Sequence, residues 1–472
     1  MTEARTVAFH TLGCKLNFSE TASLSRLMQQ AGFEKTAFDS TADVYVINTC
    51  SVTENADKEC RYLVRQIQRK SPDSFVVITG CYAQLKPQEI AAIPGVDLVL
   101  GAAEKFNLVE HISQLVKGDP SKICSCDIEE VHQFHDGLSY TDRTRAFLKV
   151  QDGCDYTCSF CTIPMARGKS RSDTITHVLE NVRALAAKGI QEVVLTGVNL
   201  GDFGFSTSKG NSISPEKILE ETTADNATFR RRKLKSSTLN NAPSNESVSE
   251  ATAVQKAIKR KSENFFQLTQ ALAKITEMPR FRISSIEPNL LTNDIIELVA
   301  NSDRFMPHFH IPLQSGSNKI LSMMRRRYQR ALYADRVARI KTLMPHASIG
   351  ADVIVGFPGE TEEDFKETFD FLHSIDISYL HVFTYSERDN TQALDIKAIV
   401  PVPVRNERNK ILRNLSFQKL QYFTAQHAGQ TRKVLFERSR TQDMMEGYTD
   451  NYIRVTASYR ADWVNRIVEW VL

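Results

Sequence analysis

Residues 154–161 read Cys-Asp-Tyr-Thr-Cys-Ser-Phe-Cys, and a C-x3-C-x2-C run of this kind leaves a chain few options. Three thiolates within so short a loop can wrap around one [4Fe–4S] cluster, ligating three irons and leaving the fourth open. An electron carrier normally closes its cluster with four cysteines, so an open iron points to a site where another molecule binds. In radical chemistry that molecule is S-adenosylmethionine, whose sulfonium is cleaved reductively at the iron. Zinc is the competing occupant, but it favours paired C-x2-C or C-x2-C…H-x3-H spacing with a fourth protein ligand. No His or Cys follows Cys161 nearby.

The segments around this run set the fold class. Between residues 6 and 101, short Val/Ile-rich runs (Thr6–Leu12, Asp43–Asn48, Ser74–Thr79, Val96–Leu100) alternate with helical patterns. Such alternation predicts a parallel α/β sheet. Asn17-Phe-Ser-Glu20 has the form of a capping signature opening a helix, with Leu24, Leu27 and Met28 on one face and Gly32 past its end. Cys14, Cys50 and Cys81 each stand directly after an apolar run, in TLGC, INTC and ITGC. Parallel sheets place their ligands along the strand C-termini, so these three thiols are expected to converge. A single cysteine there would read as a small buried hydrophobe; three at equivalent positions read as a second three-cysteine site. Cys60, Cys124 and Cys126 show no such placement, the last two falling in a linker.

A second alternation starts near residue 146. Strands are expected at Ala146–Gln151, Glu192–Asn199, Phe281–Ile286, Pro307–Leu313, Ser348–Gly356 and Ile377–Tyr385. Asp173 is placed to cap a helix ended by Gly189, and Thr361 to cap another. Six strand–helix units make an incomplete parallel barrel with functional residues at the strand C-termini. Residues at those ends are Gly197 and Asn199, Glu287, then Gln314, Ser315 and Gly316, then Gly356, Pro358 and Gly359. Arg167 and Arg171, just past the cysteine loop, suit either phosphate contacts or barrel-rim salt bridges.

Length and charge narrow the setting. A chain of 472 residues is expected to hold two or three domains. It has no run of 18 apolar residues and no apolar signal segment after Met1, so a cytosolic location without membrane contact is expected. Disulfides are rare there, which leaves metal or cluster ligation as the use for nine cysteines. The net charge of +3 is unevenly spread: residues 205–262 hold 11 Lys/Arg against 6 Asp/Glu, so the remainder sums to −2. That segment is rich in Ser, Thr, Asn, Lys and Glu, and reads as a disordered insertion, with a nucleic-acid-binding basic arm as the alternative. Past Pro401 and Pro403 a Lys/Arg-rich helix runs from Arg405 to Phe423. Alternating strands at Arg432–Glu437, Tyr452–Ala457 and Trp463–Leu472 then read as a small β-module, either RNA-binding or a lid on the barrel.

These motifs together resemble one family, the radical S-adenosylmethionine methylthiotransferases. The string GCDYTCSFCTIPMARGKSRS, the later RISSIEPNLL, HIPLQSGSN and DVIVGFPGETEEDF, and the three N-terminal cysteines carry the resemblance, which covers nearly the whole chain except the insertion. Gly13-Cys-Lys-Leu-Asn17 is similar to the subgroup that methylthiolates N6-threonylcarbamoyladenosine beside the tRNA anticodon. Enzymes acting on isopentenyladenosine, or on a ribosomal-protein aspartate, usually carry GCQMN-like or GCPKN-like strings. The chain departs from the family at the insertion and at Glu387–Ala393, where a Pro-Gly turn is usual.

The resemblance implies an α/β protein with an N-terminal methylthiotransferase domain (4–116), a partial (β/α)6 radical core (140–376), a connecting strand and helix (377–426) and a TRAM-like β-module (427–472). It implies two [4Fe–4S] clusters, on Cys154, Cys158 and Cys161 and on Cys14, Cys50 and Cys81. S-adenosylmethionine would be both radical source and methyl donor, held by Gly197, Asn199, Glu287, Gln314, Ser315 and Gly316. The expected partners are the anticodon stem-loop of tRNA and an electron donor such as flavodoxin or ferredoxin, with the protein a monomer. A non-catalytic iron–sulfur electron carrier or RNA-binding module is the alternative from a different class.

Overall fold

Strand–helix alternation at the N-terminus builds one six-stranded parallel sheet. Its strands are β1 (Thr6–Thr11), β2 (Glu34–Thr36), β3 (Val44–Thr49), β4 (Phe75–Gly80), β5 (Leu98–Leu100) and β6 (Lys122–Cys124), in the order β2-β1-β3-β4-β5-β6. The computed structural model describes residues 5–50, 54–140, 144–204, 263–439 and 443–472; the insertion at 205–262 lies outside the described residues. The sheet is buried on both faces. Tyr45, Ile47, Val64 and Ile78 pack on one side, Val44, Val46, Leu24 and Met28 on the other. This is the period of two expected of a strand. Cys124, expected in a linker, is instead the last residue of β6, with its thiol 3.6 Å from His111 Nδ1.

Two helix starts differ from expectation. The first helix, α1 (Lys15–Gln30), begins before Asn17, with Cys14 at its N-cap, and buries Asn17 and Glu20 completely. Tertiary partners override the capping pattern: Asn17 Nδ2 donates to the carbonyls of Leu12 (2.8 Å) and Thr49 (2.9 Å). Thr174, not Asp173, caps the helix Ile175–Ala187 by accepting from the His177 N–H. Asp173 instead pairs with the His177 ring at 2.8 Å. Thr361 does form the expected capping box, with Asp364.

The second sheet curves into a six-stranded arc. An antiparallel edge strand that sequence did not indicate, β7 (Gly137–Ser139), flanks β8 (Arg145–Lys149). Next, β9 (Gln151–Asp152) pairs antiparallel with β10 (Arg171–Ser172), closing the base of the loop that carries Cys154, Cys158 and Cys161. β8 continues to β11 (Glu192–Thr196) and β12 (Arg280–Ile283); β13 (His308–His310), β14 (Ser348–Val355) and β15 (Tyr379–Thr384) complete the arc, all parallel. Bridges Phe281–Phe305 and Ser285–His310 join the two halves. The outward side chains Ala146, Leu148, Val193, Leu195, Phe281, Ile283, Ile349 and Val353 pack under Val178, Leu268, Ile296 and Ile340 of the surrounding helices. Each of these side chains larger than alanine, fully buried, contributes roughly 1.5–3 kcal/mol.

Four antiparallel strands end the chain: β16 (Thr431–Arg438), β17 (Met444–Thr449), β18 (Arg454–Ser458) and β19 (Ile467–Val471), ordered β18-β17-β16-β19. They dock under the N-terminal ends of the barrel strands. Arg145, first in β8, pairs with Glu437 at 2.7 Å. Arg280, first in β12, donates to the Lys433 carbonyl at 2.7 Å, and Tyr452 stacks on His308, first in β13, with ring centres 4.1 Å apart. This small sheet is therefore the floor of the barrel.

Candidate active site between two sheets

Cys14, Cys50 and Cys81 follow β1, β3 and β4, three strands adjacent in one parallel sheet. Gly13 precedes Cys14 in the left-handed region (φ 100°), and a Cβ there would collide with Cys50 and stand 2.7 Å from its Sγ. Only glycine lets the two cysteine-bearing ends approach this closely. Cys81 opens the short helix that follows β4 and is almost wholly buried. Burial pushes its thiol pKa up; the Arg167 guanidinium counters this, and Cys14 adds to the rise. The sheet thus brings the ends that carry Cys14 and Cys50 into contact at Gly13, with Cys81 on the neighbouring strand end.

The second set is local. Cys154, Cys158 and Cys161 lie on the loop between β9 and β10, whose turn also needs glycine: Gly153 has φ 70° and faces the Lys169 carbonyl. Backbone N–H groups of Tyr156 and Ile163 donate to the sulfurs of Cys154 (3.4 Å) and Cys161 (3.5 Å). Burial pushes these thiols up to about 12 and about 11. Arg326 donates from Nη1 to the Cys158 sulfur at 3.2 Å and is held from the other side by Glu287. No disulfide joins any of the nine cysteines.

Both sets fit an anionic iron–sulfur cluster. Each offers three sulfur donors and has a buried guanidinium beside it, Arg167 in one case and Arg326 in the other, to offset the charge of thiolates removed from water. Sequence gave no role to Arg326; the run Arg325-Arg326-Arg327 was the available signal.

Arg167 also ties the two sheets together. Its guanidinium reaches Glu20 (3.0 Å) and Asn17 (2.6 Å) on α1, and Asp152 (3.0 Å) on β9. Lys105 (2.8 Å) and Lys149 (2.9 Å) complete the shell around Glu20, while Arg171 reaches Asp152 at 3.3 Å. Of the two roles open to Arg167 and Arg171, the structure takes the salt bridge. Burial would raise the Glu20 carboxyl, but Arg167, Lys105 and Lys149 outweigh it and hold it well below the usual range. Arg167 responds oppositely, raised by Cys81, Glu20, Asp152 and Cys14 against the effect of burial.

The residues expected around S-adenosylmethionine separate on inspection. Gly197 packs against Gln151, whose Oε1 accepts from the Asn199 N–H at 2.8 Å. Asn199 Nδ2 donates to Asp202, while its buried Oδ1, like Thr196 Oγ1 and Asn289 Oδ1, has no protein partner. Such orphaned acceptors at the strand ends suit a polar ligand. Glu287 is engaged by Arg326. Gln314 is half-buried in the left-handed region (φ 70°) at the end of the β13 segment. Ser315 and Gly316 turn away: the Ser315 hydroxyl (3.2 Å) and the Gly316 N–H (3.1 Å) engage Thr368 on the helix Glu362–Ser374, so they brace the strand end from behind. Asp202 was not anticipated; burial and Asp155 push its carboxyl up to about 6 beside Cys154.

The barrel's inner wall was missed as well. Parallel strands covered on both faces normally read as continuous apolar runs. Here polar residues alternate on the inward face: Arg145 and Lys149, Glu192 and Thr196, Arg280 and Arg282, His308 and His310, Asp352, and Tyr379 with His381. The strings RAFLK, RFRI and HFHI carry that signal. A depression of about 540 Å³ between Phe266, Glu297 and Arg304 lies outside, on the helical layer, and shares no residue with this wall.

Comparison with known proteins agrees with this arrangement. The model of uncharacterized protein family UPF0004 matches residues 6–101, and that of the radical SAM superfamily matches residues 148–372. Threonylcarbamoyladenosine tRNA methylthiotransferase MtaB of Bacillus subtilis is 37% identical over 471 residues, 98% of this chain and 93% of its own. The chain belongs to the threonylcarbamoyladenosine tRNA methylthiotransferase family. The Aquifex aeolicus member is 37% identical over 453 residues, 95% of this chain and 96% of its own. The tRNA-2-methylthio-N(6)-dimethylallyladenosine synthase of Staphylococcus aureus (strain MRSA252) is more distant, 28% identical over 482 residues, covering 99% of this chain and 83% of its own. The cofactors of a methylthiotransferase of this family are S-adenosylmethionine and two [4Fe–4S] clusters.

Proposed function

We propose that this protein converts N6-threonylcarbamoyladenosine at position 37 of tRNA into its 2-methylthio derivative. The observation that carries the reading is the pair of three-thiol sets on two sheets clamped together by Arg167. Adenine C2–H offers no proton that a side chain could remove at a useful rate, so an acid–base site would not serve. When bound, the clusters and S-adenosylmethionine supply a carbon radical, a sulfur and a methyl group.

The chain's own residues would then have distinct tasks. Cys154, Cys158 and Cys161 hold the radical-generating cluster, and Arg326 offsets its charge. Cys14, Cys50 and Cys81 hold the sulfur-bearing cluster beside Arg167. Asn199 and Gln314, with the unpartnered acceptors of Thr196 and Asn289, orient S-adenosylmethionine at the barrel mouth. The floor made by β16 and β17 closes the opposite end against water. The reading also requires a one-electron donor such as a flavodoxin or ferredoxin, and places the protein in the cytosol as a monomer that grips the anticodon stem-loop with its TRAM-like module. No helix among the described residues is long and apolar enough to cross a membrane.

Mass spectrometry of tRNA nucleosides from a deletion strain tests the substrate. Loss of 2-methylthio-N6-threonylcarbamoyladenosine is expected; its persistence, with loss of the isopentenyl analogue instead, would assign the other substrate. Formation of 5′-deoxyadenosine by the reduced holoprotein excludes a mere electron carrier or RNA-binding module.

A further inference from the structure

Below the mouth of the barrel, the inner face of its last strand is built in three rows. β15 turns Leu380 and Val382 toward the helical layer, so Tyr379, His381 and Phe383 face inward. Their partners across β14 are Gly350, Asp352 and Ile354. The lowest row is filled. A Cβ at Gly350 would stand 2.2 Å from the Tyr379 ring, so only glycine lets that ring lie across β14. Its hydroxyl lies 2.9 Å from His308 Nε2 and 3.4 Å from His310 Nδ1, and Tyr452 of the floor stacks beside it with ring centres 6.5 Å apart.

The two upper rows are open. Asp352 is bracketed by His310 Nε2 (2.9 Å) and His381 Nδ1 (3.3 Å), yet the His381 side chain remains 56% exposed. Phe383, one row higher, is 44% exposed although it faces the interior of the barrel. A large apolar ring left open inside a concave wall belongs to a binding surface rather than to a core. Ile354, opposite Phe383, packs on the same apolar group (Phe357 and Tyr385) as Phe160, which stands between Cys158 and Cys161. The open rows therefore lie beside the cysteine loop, where a reacting base has to come.

His381 and Phe383 offer two different contacts about 7 Å apart on one strand. A purine presents a flat face to Phe383. Asp352 holds the His381 proton on Nδ1, so in the neutral ring Nε2 is the acceptor left for a ligand. A threonylcarbamoyl group on adenine N6 brings a hydroxyl and an amide N–H; a dimethylallyl group brings neither. We propose that β15 seats the target nucleotide: Phe383 stacks on the adenine, and His381 accepts a hydrogen bond from its N6 substituent and so selects adenosines with a polar N6 group. The His381 half rests on the substrate class proposed above; the Phe383 half requires only a purine.

The test uses reconstituted full-length protein, without reductant, and anticodon stem-loops identical except at position 37. That position carries N6-threonylcarbamoyladenosine, N6-dimethylallyladenosine or an abasic site. Phe383→Ala should weaken both adenosine RNAs by roughly tenfold and leave the abasic RNA unchanged, and Phe383→Trp should bind like the wild type. The wild type should prefer the threonylcarbamoyl RNA to the dimethylallyl RNA. His381→Ala should cut that preference by roughly fivefold, the value of one hydrogen bond, with abasic binding and iron content unchanged. A Phe383→Ala loss shared by the abasic RNA, or no loss on either adenosine RNA, overturns the stacking. A preference that survives His381→Ala overturns the selection. The substrate assignment fails separately: a wild type that prefers the dimethylallyl RNA ends it, whereas the abasic comparison still decides on Phe383.

Discussion

The two cysteine sets offer the same three sulfurs by opposite means. Cys154, Cys158 and Cys161 sit on one short loop, and their spacing is written in the chain. Cys14, Cys50 and Cys81 are spread over 68 residue positions and meet only because β1, β3 and β4 are neighbours in register. A local site depends on one turn; a dispersed one depends on a whole sheet and on the contacts that fix its edge against the rest of the molecule. Arg167 is the residue in which the two arrangements touch.

The strongest way to break the comparison is to remove one set at a time. Cys158→Ala should abolish 5′-deoxyadenosine formation, whereas Cys50→Ala should retain it and lose only the methylthio product. About eight irons per chain are expected with both sets intact and about four with either triple-alanine variant, at four per cluster. Four in the unmodified protein would end the two-site reading.

Next in size is Arg167→Met. It strands Glu20 and Asp152 in the interior with fewer counter-charges, and removing one partner of a buried pair costs about 3–5 kcal/mol. A urea midpoint no lower than the wild type's would show that the clamp is not structural. Gly13→Ala sharpens the dispersed half. The left-handed backbone costs about 1–2 kcal/mol, as it would at Gly32, but only at Gly13 does the new Cβ meet Cys50. The variant should lose half its iron, while Gly32→Ala keeps all of it.

Acid sensitivity should follow the clamp. The Glu20 and Asp152 carboxyls are held below their ordinary values, so the unfolded chain binds more protons. Their contribution is complete above the ordinary carboxylate range near pH 4 and is lost as pH falls through the lowered folded values. Glu20→Gln should flatten the acid limb of a stability–pH curve; an unchanged slope would remove Glu20 from that role. The smallest effect is expected from deleting residues 208–258. RNA affinity and its salt dependence should not change if that segment is a tolerated insertion, and a shallower slope would make it a basic arm.

The sequence by itself determined the local chemistry. The spacing of Cys154, Cys158 and Cys161, the strand–helix alternation, and the placement of Cys14, Cys50 and Cys81 after apolar runs each follow from short-range pattern, and the subgroup was legible in the five residues Gly13–Asn17 around Cys14. Other features were decided only by tertiary structure, because they join residues that no local period connects. Asn17 and Glu20 look like a helix cap and become half of a buried ion network, since Arg167 lies 147 positions past Glu20 in the chain and beside it in space. Ser315 and Asn199 both end strands, yet one faces a helix and the other the mouth of the barrel. The inward polar row was present in the strand alternation, but its meaning as a charged chamber required the floor of β16 and β17, which pairs Arg145 with Glu437.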